Sequence, residues 1–219
     1  MNEVVGSVLP AAVAVALSPI PIVAVIVMLG TARARSNGPA FAVGWVGGLA
    51  IVLTVVVLLV GGASPKTADT SVRWGTLALG LLMLGLAGRQ WRKRPRHGDE
   101  PEVPAWVDRV DDFTWHRSLV TGVILSAANP KNLALTAAAS GAIATSGLQG
   151  PDELWASVWF VAIASSTVVG LVVVALVAPR ATSRPLSTIR EYMATHSSVI
   201  MAVILLLLGV KLVGDAIGR

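Results

Sequence analysis

The sequence predicts an all-α integral membrane protein with six transmembrane helices. They form a 3+3 inverted repeat in which helices 1 and 4 are broken at proline motifs. Three observations carry this prediction. The 219 residues are 54% hydrophobic and only 13% charged, with a mean hydropathy of +0.74, whereas soluble domains carry about 25% charged residues. The charge gathers in a few connections and leaves apolar runs of about 20 residues, enough to cross a bilayer core roughly 30 Å thick. Finally, prolines interrupt the first long apolar run of each half, at Pro19 with Pro21 and at Pro130.

The spans fall at 4–30, 40–61, 72–91, 118–145, 152–177 and 197–217. The first carries no positive residue ahead of its apolar run, since the first Lys or Arg is Arg33. A cleaved secretory signal needs such a region, so this segment is expected to remain as a helix. Helix breakers set the connections: Ser36-Asn37-Gly38-Pro39, Gly61 to Pro65, Ser146-Gly147 with Gly150-Pro151, and Pro179 through Pro185. Residues 1–91 are read as the first three-helix repeat, 92–117 as a cytoplasmic linker and 118–219 as the second repeat.

Twelve Lys and Arg residues fall in connections one, three and five; three fall on the opposite side, at Lys66, Arg73 and Arg219. Positive residues stay in the cytoplasm, so both termini are expected to face outward. The net charge of +5 is explained by these loops, without nucleic acid as a partner. The linker opens on Arg92-Lys93-Arg94-Pro95-Arg96 and turns acidic at Asp99, Glu100 and Glu102. Residues 105–116 are expected to form an interfacial helix with Trp106, Val110 and Phe113 on one face. The basic run suits anionic lipid head groups; the plainer reading is a positive-inside determinant. A similar helix is expected in the fifth connection, with Leu186, Ile189 and Met193 on one side. The tryptophans, including Trp45 and Trp159, are read as lipid-interface anchors.

An odd number of spans per half makes the halves insert with opposite orientation. Pro19 and Pro130 lie 111 residues apart, and Pro39 and Pro151 lie 112 apart. Small residues are expected at helix contacts: Gly44 with Gly48, Ala137 through Gly141, and Ala162, Ser166 and Gly170.

Lys131 is the most informative charge. A lysine at the centre of a span costs about 2.5–3.5 kcal/mol on insertion scales and faces a cavity or a partner. Asn129 and Asn132 flank it, and Pro130 frees backbone carbonyls there. Half-helix N-termini also direct N–H groups at anions. The substrate-binding candidates are therefore Ser18, Pro19, Pro21, Asn129, Pro130, Lys131 and Asn132. The alternative is a structural Lys131 bonded to carbonyls released by Pro19 or Pro21. Lys211 and Asp215, four apart on one helix face, are read either as a plain ion pair or as a coupling or gating pair. Catalysis is not expected: no span holds His, Glu or a Gly-x-Ser-x-Gly elbow. With no cysteine in the chain, disulfides and thiolate sites are excluded, and neither a metal nor a cofactor is expected.

The run Ala16-Leu17-Ser18-Pro19-Ile20-Pro21-Ile22, then Met28-Leu29 and Phe41-Ala42-Val43-Gly44-Trp45, with Asn129-Pro130-Lys131-Asn132-Leu133, resembles the GAP family. That family comprises the Sap, sulfolipid-addressing and peptidoglycolipid-addressing proteins of the LysE transporter superfamily. The resemblance spans nearly the whole chain. It implies six spans in a bacterial inner membrane and outward movement of cell-envelope glycolipids or other small molecules. Membrane lipids and a glycolipid or small-molecule substrate are the partners implied. A homo-oligomer and an envelope-lipid export machine are partners left open. Two alternatives stand beside the exporter: a LysE-type exporter of amino acids or ions, and a non-transporting adaptor for lipid export.

Overall fold

The computed structural model describes residues 2–61, 65–94 and 112–217. Every regular element among them is helical: α1 (Asn2–Ala16), α2 (Pro19–Leu29), α3 (Ala34–Gly61), α4 (Pro65–Arg92), α5 (Trp115–Val123), a π-turn (Ile124–Ala128), α6 (Pro130–Ala144), α7 (Pro151–Val177) and α8 (Pro179–Ile217). The expected interfacial helix at 105–116 falls largely outside the described residues, and so do Pro95 and Arg96 of the basic run.

Three described helices are long and apolar enough to cross a membrane alone: Ala34–Leu59 of α3, Pro151–Val177, and Thr195–Ile217 of α8. Helices α1 and α2, bent by 49° across Leu17 and Ser18, give a fourth when taken as one span. The exterior is apolar, as a lipid-facing surface requires: Leu58, Leu59, Leu154, Val177, Leu207 and Ile217 are all exposed. Trp74, Trp91, Trp115, Trp155 and Trp159 also face outward. Trp45 does not; it is fully buried in the core with Phe41, Leu49 and Phe160. A ring on the inward face of α3 has no lipid to anchor to, so the interface role read for Trp45 is corrected to packing.

Several breakers behave differently from the sequence reading. Ser36-Asn37-Gly38-Pro39 is helical and opens α3. Tertiary contacts override local propensity here. Asn37 is fully buried and its Nδ2 donates to the Phe113 carbonyl at 2.9 Å, and Gly38 lies so close to Leu29 that an added Cβ would come within 2.7 Å of it. The fifth connection is no separate segment, because α8 runs unbroken for 39 residues with Pro185 inside it. Pro185 is the seventh residue of that helix, past its first turn, so it forfeits one intrahelical bond, which the remaining length of the helix outweighs. The turn at Gly147 and Gly150 does fall where read, with φ of +77° and +58°, values natural only to glycine.

Close approach occurs at glycines, as expected for α3. A Cβ on Gly44 would strike the Leu119 carbonyl, and one on Gly48 would strike Ser126 Oγ. Gly122 of α5 meets the Phe41 carbonyl from the other side. Helices α4 and α8 cross at Gly80 and Gly209. The stripe read on α7 faces outward instead: Ala162 and Ser166 are exposed, while Ala156, Phe160, Ala164 and Val168 are buried. Alanine and serine suit either surface, so spacing alone does not choose the face. In the assembled bundle, α4 packs along α8, α3 along α5, α6 and α7, α1 along α7 and α6, and α2 along α8, α3 and α7.

Candidate functional site

The two breaks share one local design. Ser18 caps α2 with φ −71° and ψ 114°; Asn129 caps α6 with φ −70° and ψ 118°. Each is followed by proline at the first helical position, where the missing N–H costs nothing. The first intrahelical bonds correspond as well: Ile22 N–H to the Ser18 carbonyl at 3.3 Å and Leu133 N–H to the Asn129 carbonyl at 2.8 Å. All four residues keep the 111-residue offset of the prolines.

Each break also leaves one backbone carbonyl without its helical partner, five residues before its proline. Ser18 N–H would serve Ala14 in an α-helix, but it turns to Val15 at 3.1 Å. In the second break the π-turn shifts bonding to the fifth residue on. For Leu125 that residue is Pro130, which has no N–H. Side chains of α6 fill both vacancies. Lys131 Nζ donates to the Ala14 carbonyl at 2.8 Å, and Asn132 Nδ2 donates to the Leu125 carbonyl at 3.0 Å. Ser18 Oγ donates to Asn132 Oδ1 at 3.0 Å, so Asn132 ties the two breaks together. Asn129 Oδ1 accepts from the Lys131 backbone N–H at 3.1 Å.

Ser18, Lys131 and Asn132 are all buried, and Lys131 is only 3% exposed. Among the described residues the ammonium has one hydrogen-bond partner and no carboxylate. The N-termini of α2 and α6 both start at this junction, and each contributes positive dipole charge. The junction is thus cationic and short of acceptors, which suits an anionic or oxygen-rich polar group. Of the sequence candidates, the structure joins Ser18, Lys131 and Asn132 directly; Asn129, Pro19, Pro21 and Pro130 shape the backbone around them.

Lys211 and Asp215 bond to each other at 2.7 Å, with side chains 41% and 43% exposed. They lie beside exposed Leu207 and Val210 on α8 and bond to none of the break residues. The bond from Lys131 to Ala14 is the alternative read from the sequence, a lysine held by a carbonyl released at the first proline break; sequence reasoning did not single out Ala14 or Leu125 themselves, whose signal was the position five before each proline. It also missed Thr136 and Ser165, buried hydroxyls without a partner among the described residues. Thr136 follows Asn132 by four on the same face of α6, as Ser140 follows Thr136. Among the described residues no group of three or more His, Cys, Asp or Glu side chains converges.

The apolar exterior, the long hydrophobic helices and the buried polar junction define an α-helical membrane protein. Residues 8–218 match the family model described as Sap, sulfolipid-1-addressing protein. The chain belongs to this family, in agreement with the resemblance carried by its two proline motifs. No curated protein and no solved structure matches it.

Proposed function

We propose that this protein is a secondary transporter of the bacterial inner membrane. It exports a cell-envelope glycolipid or another amphipathic molecule by alternating access, with the polar head held at the junction of the two breaks. The observation that carries this reading is Lys131, a buried ammonium with one backbone partner, set between two helix N-termini with no carboxylate. Such a centre favours an anionic head group, and the family's description, which names sulfolipid-1, is consistent with cargo of that class. Asn129 and Asn132 would bind the head from α6 and Ser18 from the opposite break. No step of the reading is catalytic. The LysE superfamily relationship belongs to the same proposal.

The six-span, 3+3 inverted plan is part of it. It is supported by the 111-residue offset, the matching cap angles of Ser18 and Asn129, and the paired open carbonyls. Packing supports it too: α3 on α5 has its counterpart in α7 on α1, and α3 on α6 in α7 on α2. On this plan α5, the π-turn and α6 form one broken span, and α4 is a full span. The distribution of Lys and Arg then sets both termini outside the cytoplasm.

The test compares envelope lipids of a deletion strain with those of a Lys131→Ala strain. Loss of the same surface lipid from both is expected. Unchanged surface lipids in both would sink the reading. If Lys131→Ala exports normally while deletions in 92–117 abolish export, the chain acts as an adaptor. Uptake of amino acids or ions by proteoliposomes would point to the small-solute alternative.

A further inference from the structure

We infer that the hydrogen bonds of Lys131 and Ser18 form a one-sided latch that holds the α1–α6 side of the bundle shut and makes that closed form the resting state. This rests on the inverted-repeat transporter reading above. In that repeat α1 corresponds to α5, α2 to α6, α3 to α7 and α4 to α8. Most packing then comes in matched pairs: α2 on α3 with α6 on α7, and α2 on α8 with α6 on α4. One match fails. Helix α1 packs along α6 and also meets α8, whereas its counterpart, α5 with the π-turn, touches α2 only slightly through the π-turn and, among the described residues, makes no comparable packing with α4. Burial follows the same difference. Ala14 and Ala16 are buried, whereas their counterparts Leu125 and Ala127 are only partly so. The two halves are therefore caught in unlike positions, closed between α1 and α6 and not between α5 and α2.

The residues explain why the two closures are unequal. Lys131 bonds Ala14, and Ser18 bonds Asn132; both bonds tie the first break to α6. Applying the 111-residue offset, the counterpart of Lys131 is Ile20 and the counterpart of Ala14 is Leu125. The counterpart of Asn132 is Pro21. Neither Ile20 nor Pro21 has a side-chain donor, and the Leu125 carbonyl is already taken by Asn132. Closing α2 against α5 would therefore gain apolar contact and no ammonium hydrogen bond. A hydrogen bond from a charged donor in a buried setting moves a two-state equilibrium by at least about ten-fold. With both termini outside, the resting form is sealed outward and released towards the cytoplasm, the loading side for an exporter. A cargo anion that draws the ammonium from Ala14 opens the latch, so loading itself permits the exchange.

The absence of cysteine from the sequence lets spin labels be placed cleanly on the full chain in lipid nanodiscs. One pair, Ala32→Cys with His116→Cys, spans the loop-side ends of α2 and α5. The other, Ser7→Cys with Thr145→Cys, spans the terminus-side ends of α1 and α6. All four positions are at most half-buried. Pulsed distance measurements on the otherwise native chain should give one dominant distance per pair. Lys131→Met should raise a second population at least about ten-fold, with the Ala32–His116 distance shorter and the Ser7–Thr145 distance longer. Ser18→Ala should shift both pairs in the same direction and serves where Lys131→Met fails to fold. Distributions unchanged in these variants, or already evenly split in the parent, would overturn the latch. The measurement needs no cargo. Unchanged distributions in a Lys131 variant that has lost export would defeat the latch and leave the transporter reading standing. Shifted distributions in a Lys131 variant that still exports normally would support the latch and remove Lys131 from cargo binding.

Discussion

Asn132 carries more of the junction than its size suggests. Its amide accepts from Ser18 Oγ and donates to the Leu125 carbonyl, while the residue is fully buried. Asn132→Leu keeps the volume and leaves both partners unpaired. Each orphaned buried group costs about 1–3 kcal/mol, so thermal unfolding in detergent should show a clear drop in midpoint. Ser18→Ala removes one of these bonds and should cost about half as much. Trp45 gives the opposite case. Its Nε1 is buried without a partner among the described residues, so the ring contributes through packing. Trp45→Ala should destabilise by about 3–5 kcal/mol, and Trp45→Phe by less than half of that. A result in which Phe costs as much as Ala would mean that the indole N–H has a partner. At this scale the sequence was legible where a polar side chain stood in an apolar run, as at Lys131, Asn132 and Ser18. It foresaw a released carbonyl as a partner for Lys131 but not that it would be Ala14's, nor that Leu125's would be held by Asn132, because a carbonyl's role does not depend on the side chain attached to it. It misled at Trp45, because tryptophan is as suited to a core as to an interface.

Among the elements, α3 and α5 depend on backbone contact. A Cβ at Gly44 would meet the Leu119 carbonyl, whereas one at Gly47 would meet nothing within 4 Å. Gly44→Ala should force the helices apart and destabilise by about 1–3 kcal/mol. Gly47→Ala, on the same helix, should be neutral or slightly stabilising through better helix propensity. Equal effects on the unfolding midpoint would show that α5 is not seated on α3 as described. The start of α3 has a second anchor, since Asn37 holds the Phe113 carbonyl just ahead of α5. Asn37→Ala should loosen that end of the linker and speed limited proteolysis near residue 113. The contrast with the sequence is instructive. Ser-Asn-Gly-Pro reads as a loop from propensity, but the buried Asn37 makes it the first turns of a helix. The reverse holds at Gly147 and Gly150, where positive φ is a backbone need that composition does reveal. The glycine spacing on α3 marked a real contact. The equally small α7 stripe did not, because only the neighbouring helix decides which face is covered.

At the scale of the whole molecule, the duplicated breaks and the charge distribution make one joint prediction about topology. The pair of breaks was legible from the positions of Pro19 and Pro130, which stand 111 residues apart, and that spacing is what suggests the proposed repeat, since the halves share little residue identity. The packing of α1 on α6, far more extensive than that of α5 and the π-turn on α2, was not legible, because it is a tertiary contact that neither segment's composition encodes. If α1 with α2, α3, α4, the α5-to-α6 segment, α7 and α8 each cross once, successive connections must alternate sides. Reporters fused after residues 94 and 178 should then be active in the cytoplasm. Fusions after 148 and 217 should be active only outside. The fusions at 94 and 148 decide most, because they bracket α5, the π-turn and α6, whose bent path carries a buried lysine and two asparagines. Asn129, Lys131 and Asn132 weaken its hydropathy, and Lys131 at mid-depth alone costs about 2.5–3.5 kcal/mol on insertion scales. Its burial against α1 and α3 would let the segment cross nonetheless, since polar groups at membrane depth are tolerated where protein covers them. Reporters at 94 and 148 on the same side would make this segment re-entrant. The two halves would then no longer be inverted, and the pairing of the breaks would lose its symmetry.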